Sequence, residues 1–381
     1  MKQKVAILGA TGSIGTQTLS VVSDFPEIFS VTFATSNHSF EALEKIAKDF
    51  NLQAIGFHDK NFTPPNSSTC SICRGNEQII DWLLTYPPDI LVVATAGVEV
   101  YDIIRNVYPY IDKIAISSKE AIIMSGITGL LFKMQKSTKL LPIDSEHVAI
   151  HQLLKKINRS SIKKVVLTAS GGPFYRSSNT IDFETITPEK ALAHPTWIMG
   201  KKVTIDSATL VNKGIELMEA FYLFGLPLET LDVVIHPESI IHGMVETVDG
   251  SLMCQMAYPN MELPIAYALF YPDKKYVSTH QAFDYAKLPG LSFRPISARS
   301  IPTIQLALEA IQRGSLAILT YLISDEIAVE LFLNGKISFN QIGAMIDNAL
   351  HLPLETKEIN EVNIVKCYFD IKKQIEKEGL L

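Results

Sequence analysis

Short apolar runs alternate with amphipathic stretches over the first third of the chain, which predicts strands and helices in turn. Lys4-Val5-Ala6-Ile7-Leu8 is a compact apolar run, followed by a glycine-rich turn. Leu19, Val21 and Val22 then begin a helical pattern that stops before Pro26. The alternation continues with a strand over 30–35, a helix over 40–50 and a strand over 54–57. The buried run Asp89–Thr95, a helix over 98–108 and a strand over 113–117 come next, and Lys139–Ile143 runs into a helix from Val148 to Ile157. Strands separated by helices of this length predict a parallel sheet.

Beyond residue 157 the pattern changes. A strand through Val165–Ala169 ends in glycines, and Leu231–Ile235 reads as another strand. Ile240–Val245 and Leu252–Met256, around Asp249-Gly250, read as a hairpin. From Ser297 the spacing is helical over 304–312, 317–333, 339–350 and 359–378, with Gly314 and Gly335 as stops. The expected fold class is therefore α/β. A Rossmann-like parallel sheet occupies 1–144, a central α/β domain 145–271, a proline-bearing linker 272–296, and an α-helical bundle 297–381.

Composition narrows the class. With 47% hydrophobic and 19% charged residues, the chain is neither disordered, collagen-like nor a disulfide scaffold. A net charge of −6 with no Lys/Arg run of five excludes a nucleic-acid partner or an anionic membrane surface. No apolar stretch reaches the roughly 18 residues of a membrane span. The most apolar candidate, Leu316–Leu333, carries Asp325, Glu326 and Glu330 and reads as buried helix. Met1-Lys2-Gln3-Lys4 leads straight into a strand, without a signal peptide, so a cytoplasmic location is expected. Cys70-Ser71-Ile72-Cys73 has redox or zinc spacing, but no second pair accompanies it, and a loop with free thiols is the reading.

Candidate chemistry collects where strands end. Gly9-Ala10-Thr11-Gly12-Ser13-Ile14-Gly15 joins a strand to a helix and offers backbone amides to a pyrophosphate. The second-strand tip, Thr35-Ser36-Asn37-His38-Ser39, lacks the carboxylate that an NAD enzyme places on the ribose, which favours NADP. Lys119 and Glu120 sit at a strand's carboxyl end, as ligand contacts or as a charge pair opening a helix. Asp144 and Glu146 can converge on a hard cation, or serve as N-cap and first-turn carboxylate.

Asn212 and Glu216 share a helix face with Lys213 beside them, a set suited to a phosphate and a metal, or to a surface salt pair. Gly214 within that helix points to close approach by another element. Ser170-Gly171-Gly172 offers a hydroxyl beside permissive backbone. His194-Pro195-Thr196-Trp197-Ile198-Met199-Gly200 has the composition of a lid, or of a packed loop. His236 is either a site residue or a satisfied turn histidine.

These motifs, with Asp206-Ser207-Ala208-Thr209 and Ile235-His236-Pro237-Glu238-Ser239, occur in one order, and the chain resembles the 1-deoxy-D-xylulose 5-phosphate reductoisomerase family over essentially its whole length. The resemblance implies conversion of 1-deoxy-D-xylulose 5-phosphate and NADPH to 2-C-methyl-D-erythritol 4-phosphate, in non-mevalonate isoprenoid synthesis. It implies magnesium, manganese or cobalt, and a homodimer formed through the central catalytic domain. Asp144, Glu146 and Glu216 would be the metal ligands. Ser170, Ser207, Asn212 and Lys213 would hold the substrate phosphate, with Ser145 and Lys119 at the hydroxy-ketone end. His194, Trp197 and Met199 would form a flexible flap, and His236 joins the catalytic candidates. Thr11, Gly12, Ser13 and Ile14 would hold NADPH, with Asn37, His38, Ser39, Ser118, Glu120 and Gly200 nearby.

Two departures stand out. The family commonly shows Gly-Lys-Asn or similar where this chain has Asn37-His38-Ser39, which predicts weaker NADPH affinity, and Ser118 replaces the usual Asn. The rival readings are another NADP-dependent dehydrogenase with a G-A-T-G turn, which needs a nucleophilic cysteine near a histidine, and a non-catalytic NADPH-binding sensor.

Overall fold

The computed structural model describes residues 1–64, 68–175, 182–193, 200–273, 283–288, 290–296 and 302–378. They fall into two units, Met1–Val148 with Met261–His280 and Ala149–Asn260 with Gln281–Leu381.

Seven strands carry the first unit: β1 (Gln3–Leu8), β2 (Phe29–Ser36), β3 (Ala54–Phe57), β4 (Ser71–Arg74), β5 (Ile90–Val93), β6 (Lys113–Ile116) and β7 (Lys139–Pro142). Their order is β4-β3-β2-β1-β5-β6-β7, and each neighbouring pair is parallel. The helices are α1 (Ser13–Asp24), α2 (Phe40–Asp49), α3 (Gly75–Thr85), α4 (Val100–Val107), α5 (Lys119–Ile127) and α6 (Leu130–Ser137), and α7 (Ser145–Leu154) runs from the first unit into the second. Strand order reverses between β1 and β5, and ligands of open α/β sheets gather at such a switch point. Val5, Ala6, Ile7 and Leu8 are all fully buried, as expected of a strand covered on both faces.

The expected alternation holds, with three additions: the helices α3 and α6 and an edge strand. Residues 71–74, read as loop from the sequence, form the edge strand β4. Only Cys73 in it is buried, so the segment carries no apolar alternation to betray it.

The second unit contains β8 (Ile162–Ala169), α8 (Pro188–Ala191), α9 (Lys201–Ala208), α10 (Val211–Phe224), β9 (Leu231–Ile235), β10 (Ile241–Thr247) and β11 (Leu252–Met256). Its sheet has the order β11-β10-β8-β9, with β8 and β9 parallel and β10 antiparallel to both its neighbours. The expected hairpin is β10–β11, its turn held by Asp249 Oδ1, which accepts from Thr247 Oγ1 at 2.6 Å and Ser251 N at 2.9 Å.

Helix α11 (Glu262–Phe270) belongs to the first unit. Ile265, Ala266, Leu269 and Phe270 join the core formed by Val5, Ile7 and Phe29, and Phe270 packs edge-on against Phe25 and Phe29 at 5.0 and 5.1 Å. The buried Lys113 ammonium donates to the Leu269 carbonyl at the helix end. The sequence-based boundary at 271 differs here, because an apolar helix does not announce which core it enters.

The chain closes with α12 (Thr303–Arg313), α13 (Ser315–Leu333), α14 (Phe339–Leu350) and α15 (Ile364–Glu378), all in the second unit. Within the expected linker, Arg294 pairs with Ile235 through two backbone bonds of 2.9 and 3.0 Å. No helix among the described residues is long and apolar enough to cross a membrane.

Candidate active site

The turn after β1 is shaped by steric necessity. Gly9 has φ +85°, and a Cβ there would lie 2.8 Å from the Ala94 carbonyl oxygen. A Cβ at Gly15 would lie 2.2 Å from the Gly9 carbonyl oxygen, so α1 packs directly on the turn. Gly12 and Ser13 are exposed, and no side chain caps α1. First-turn amides are thereby left for an anion. Thr11 Oγ1 and Ser36 Oγ, 2.8 Å apart, tie this turn to the tip of β2, where Asn37, His38 and Ser39 are exposed.

Ser118 is buried and caps α5, its hydroxyl accepting from Ala121 N at 3.2 Å and donating to Glu120 Oε2 at 3.3 Å. The hydroxyl that replaces the family's usual amide is therefore engaged within the helix start.

At the carboxyl end of β7, Asp144 is multiply held. Its Oδ1 accepts from Glu146 N at 3.1 Å and His147 N at 3.4 Å, and His147 Nδ1 lies 2.9 Å away. Its Oδ2 lies 2.8 Å from Lys119 Nζ. The capping and site readings of this segment thus describe one residue: capping fixes the carboxylate that the ammonium approaches. Ser145 donates to Glu146 Oε2.

In the second unit, β8 ends at Ala169, and Ser170 is followed by Gly171 and Gly172 with φ +82° and +65°. A Cβ at Gly172 would lie 2.9 Å from Ala208 Cα and 3.0 Å from the Ser207 carbonyl oxygen. The absence of side chains here lets the Ser170 loop rest on the end of α9, beside Ser207. Leu210, with φ +62°, turns α9 into α10, a strained left-handed position for a branched residue. Thr303 Oγ1 donates to the Thr209 carbonyl at 2.7 Å and braces that turn.

On the first two turns of α10, Asn212 Nδ2 and Lys213 Nζ both donate to the buried Glu216 carboxylate. The expected close approach at Gly214 comes from the C-terminal helices. A Cβ there would lie 2.6 Å from Tyr321 Oη and 2.8 Å from Ala307 Cβ.

His236 lies in a packed turn after β9. The ring is fully buried, stacks on Phe293 at 4.9 Å, and uses both nitrogens. Nδ1 lies 2.9 Å from the Ser292 carbonyl, and Nε2 accepts from Ile240 N at 3.2 Å. Nδ1 also lies 3.1 Å from Glu238 Oε2, and contacts of this kind favour the satisfied turn histidine of the two readings. His194, Trp197 and Met199 lie outside the described residues, while Gly200 is the N-cap of α9.

Known proteins match this arrangement. Family models match as 1-deoxy-D-xylulose 5-phosphate reductoisomerase over 5–126, its C-terminal domain over 140–224, and DXP reductoisomerase C-terminal domain over 256–378. The 1-deoxy-D-xylulose 5-phosphate reductoisomerase of Sulfurihydrogenibium sp. (strain YO3AOP1) is 40% identical over 374 residues, covering 98% of this chain and 96% of that relative. The chain belongs to the 1-deoxy-D-xylulose 5-phosphate reductoisomerase family.

A reductoisomerase of Thermoanaerobacter sp. (strain X514) is 37% identical and covers 99% of each chain. A crystal structure of DOX-P reductoisomerase in complex with NADPH, fosmidomycin and magnesium aligns with TM-score 0.89 at 32% identity, covering 99% of this chain and 97% of that one. The reductoisomerase from Zymomonas mobilis in complex with NADPH aligns with TM-score 0.87 at 31% identity, covering 100% and 98%.

The cysteine-dependent rival finds no support in the thiols. Burial pushes Cys73 up to about 11 and raises Cys70 as well, which works against a thiolate nucleophile. Two features of this reductoisomerase escape motif reading. His147 follows the acidic pair directly but is identified as Asp144's partner only by geometry. Lys202 bridges Asp206 and Asp325, and the signal was the carboxylate of Asp325 inside a largely apolar helix.

Proposed function

We propose that the chain converts 1-deoxy-D-xylulose 5-phosphate and NADPH to 2-C-methyl-D-erythritol 4-phosphate with a divalent metal. Family membership over nearly the full length carries this reading. The relative solved with NADPH, fosmidomycin and magnesium supports both cofactors. Asp144, Glu146 and Glu216 are proposed as the metal ligands. All-oxygen donors without a thiolate fit magnesium or manganese, with cobalt a further candidate. When bound, the metal supplies Lewis acidity toward a carbonyl and its neighbouring hydroxyl.

The protein's own residues divide the remaining work. His147 and the first amides of α7 hold Asp144 in one orientation, and Asn212 and Lys213 do the same for Glu216. Lys119 brings an ammonium, and Ser145 a hydroxyl, to the hydroxy-ketone end. Ser170, Ser207, Asn212 and Lys213 hold the phosphate, whose binding energy orients the reacting end. The turn Thr11–Ile14 takes the NADPH pyrophosphate, with Asn37, His38, Ser39, Ser118, Glu120 and Gly200 as its neighbours.

One carbon–carbon bond breaks and another forms in a retro-aldol and aldol sequence, and hydride from NADPH reduces the resulting branched aldehyde. His194, Trp197 and Met199 are the proposed cover that keeps water from the reactive fragments. The test is NADPH oxidation with 1-deoxy-D-xylulose 5-phosphate, with and without chelator. Consumption that stops with chelator and returns with magnesium or manganese supports the reading. NADPH that binds but is never consumed, whatever the metal, leaves a sensor instead.

The same reading makes the protein a cytoplasmic homodimer. Supporting it, β11 is an edge strand on which Leu252 and Met253 are 57% and 36% exposed, an open edge suited to a second copy. Sedimentation of a Leu252→Lys variant tests this, with a shift to monomer expected.

A further inference from the structure

The first glycine of the dinucleotide turn is held by a relay of side chains running sideways across the sheet. Gly9 N–H donates to Thr35 Oγ1 at 3.0 Å, and Thr35 Oγ1 lies 3.0 Å from His58 Nε2. His58 Nδ1 lies 3.0 Å from Asn76 Oδ1, and Asn76 Nδ2 donates to the Glu99 carbonyl at 3.2 Å. Five segments are joined: the β1 turn, the end of β2, the residue after β3, the start of α3 and the start of α4.

The direction of every proton in the relay follows from its last member. A carbonyl only accepts, so Asn76 must turn its NH2 toward Glu99 and its oxygen toward His58. That oxygen also only accepts, so His58 carries a proton on Nδ1, and in the neutral ring Nε2 is then bare. The Thr35 hydroxyl then donates to Nε2, which orients its lone pairs for the Gly9 N–H. Gly9 in turn accepts from Gly12 N at 3.1 Å through its carbonyl, so the whole Gly9–Gly12 turn inherits the alignment.

We propose that His58 is a positioning residue for NADPH: as a neutral imidazole protonated on Nδ1, it fixes the Thr35 hydroxyl and, through it, the Gly9–Gly12 turn that receives the pyrophosphate. The proposal rests on the reading of that turn as the NADPH site. Burial lowers the affinity of His58 for a second proton and outweighs Asn76 and Glu99, which act the other way, so the ring stays neutral as the relay requires. The Thr11–Ser36 contact is a separate tie, so loss of the relay weakens the turn without dismantling it.

The experiment titrates NADPH fluorescence with His58→Phe, His58→Gln, Thr35→Val and the double variant Thr35→Val/His58→Phe, and measures KM for the ketose phosphate alongside. His58→Phe and Thr35→Val are each expected to raise the NADPH Kd about tenfold, the scale of one lost hydrogen bond. His58→Gln, which can still accept from Thr35 and donate to Asn76, is expected to stay within about threefold of wild type. The double variant is expected to be no worse than Thr35→Val, because both act through one relay. KM for the ketose phosphate stays put. Unchanged Kd in His58→Phe overturns the proposal, as does equal loss in His58→Gln, or full additivity in the double variant, both marks of plain packing. Should His58→Phe not fold, Thr35→Val against His58→Gln decides alone. If wild type does not bind NADPH, the reading of the turn itself has failed, a result distinct from all of these.

Discussion

Lys119 Nζ and Asp144 Oδ2 lie 2.8 Å apart, each side chain largely buried. The ammonium therefore sits on a carboxylate that is also a proposed metal ligand, and the two cations share one acidic group. Removing the lysine is expected to have two separable effects. Turnover in Lys119→Met falls by about 10²–10⁴-fold, the range for a lost acid–base or electrostatic group. The metal concentration for half-activation falls as well, because a competing positive charge has gone. Metal titrations of initial rate check both, and a raised metal requirement would contradict the shared-carboxylate picture.

Glu216 is buried and accepts from both Asn212 and Lys213. In Glu216→Gln the shape is kept while the charge is lost. Metal-dependent turnover is expected to drop at least about 10²-fold, with NADPH affinity unchanged because the glycine turn belongs to the other unit. Paired turnover and fluorescence titrations decide it; full activity in the variant would remove Glu216 from the ligand set.

Gly214 lets α12 and α13 approach α10 closely. The Cβ of Gly214→Ala would meet the Tyr321 hydroxyl and the Ala307 methyl, at a cost of about 1–3 kcal/mol. Adding Tyr321→Phe removes the nearer clash but also the bond from Tyr321 Oη to the Thr303 carbonyl, 3.0 Å long. Partial recovery is therefore expected in the double variant. Denaturant midpoints of the two single variants and the double one measure the coupling directly.

The sequence exposes these features unevenly. β1, β3, β5 and β6 are legible from their short buried apolar runs, and β2 from the apolar Phe29, Val31 and Phe33 that alternate with Ser30 and Thr32. Edge strand β4 has a single buried residue and so no pattern. The Asn212–Glu216 pair is legible because helical spacing alone brings it together. The relay from Gly9 to Asn76 is not, since its partners are 26, 23 and 18 residues apart and meet only through sheet register. His236 shows the converse. Its place after a strand suggested chemistry, and the ring's contacts with Ser292, 56 residues away, and with Ile240 cannot be read from its neighbours in sequence.

Acid is expected to destabilise the protein through two half-buried histidines, His151 and His58. Burial, helped by Lys155, pushes His151 down to about 4, and burial lowers His58 too. An unfolded histidine takes up its proton near 6.5. Between that value and about 4 the unfolded chain binds more protons than the native one. Stability is thus fully present above 6.5 and lost as pH falls toward 4. Urea midpoints from pH 7.5 to 4.5 should decline, and His151→Gln should flatten the decline. An identical slope in the variant would mean that carboxylates alone account for acid sensitivity.

Lys202 joins α9 to α13 by bonding to Asp206 Oδ2 at 2.6 Å and to Asp325 Oδ2. Both carboxylates are buried, and their charges, after burial itself, push the neighbouring Tyr321 hydroxyl far up. Lys202→Met would take away the ammonium that bonds both carboxylates and leave their like charges facing each other. The expected loss is about 2–4 kcal/mol, below the fully buried range because 35% of the lysine side chain is exposed. Asp206 immediately precedes Ser207, so substrate affinity should suffer before the fold fails, with KM for the ketose phosphate rising at temperatures where the variant is still native. Lys202→Met/Asp325→Asn, which removes one of the stranded charges, should recover part of both losses. A double variant less stable than Lys202→Met would show that Asp325 is held mainly by other groups, and that the lysine is not what fastens α9 to α13.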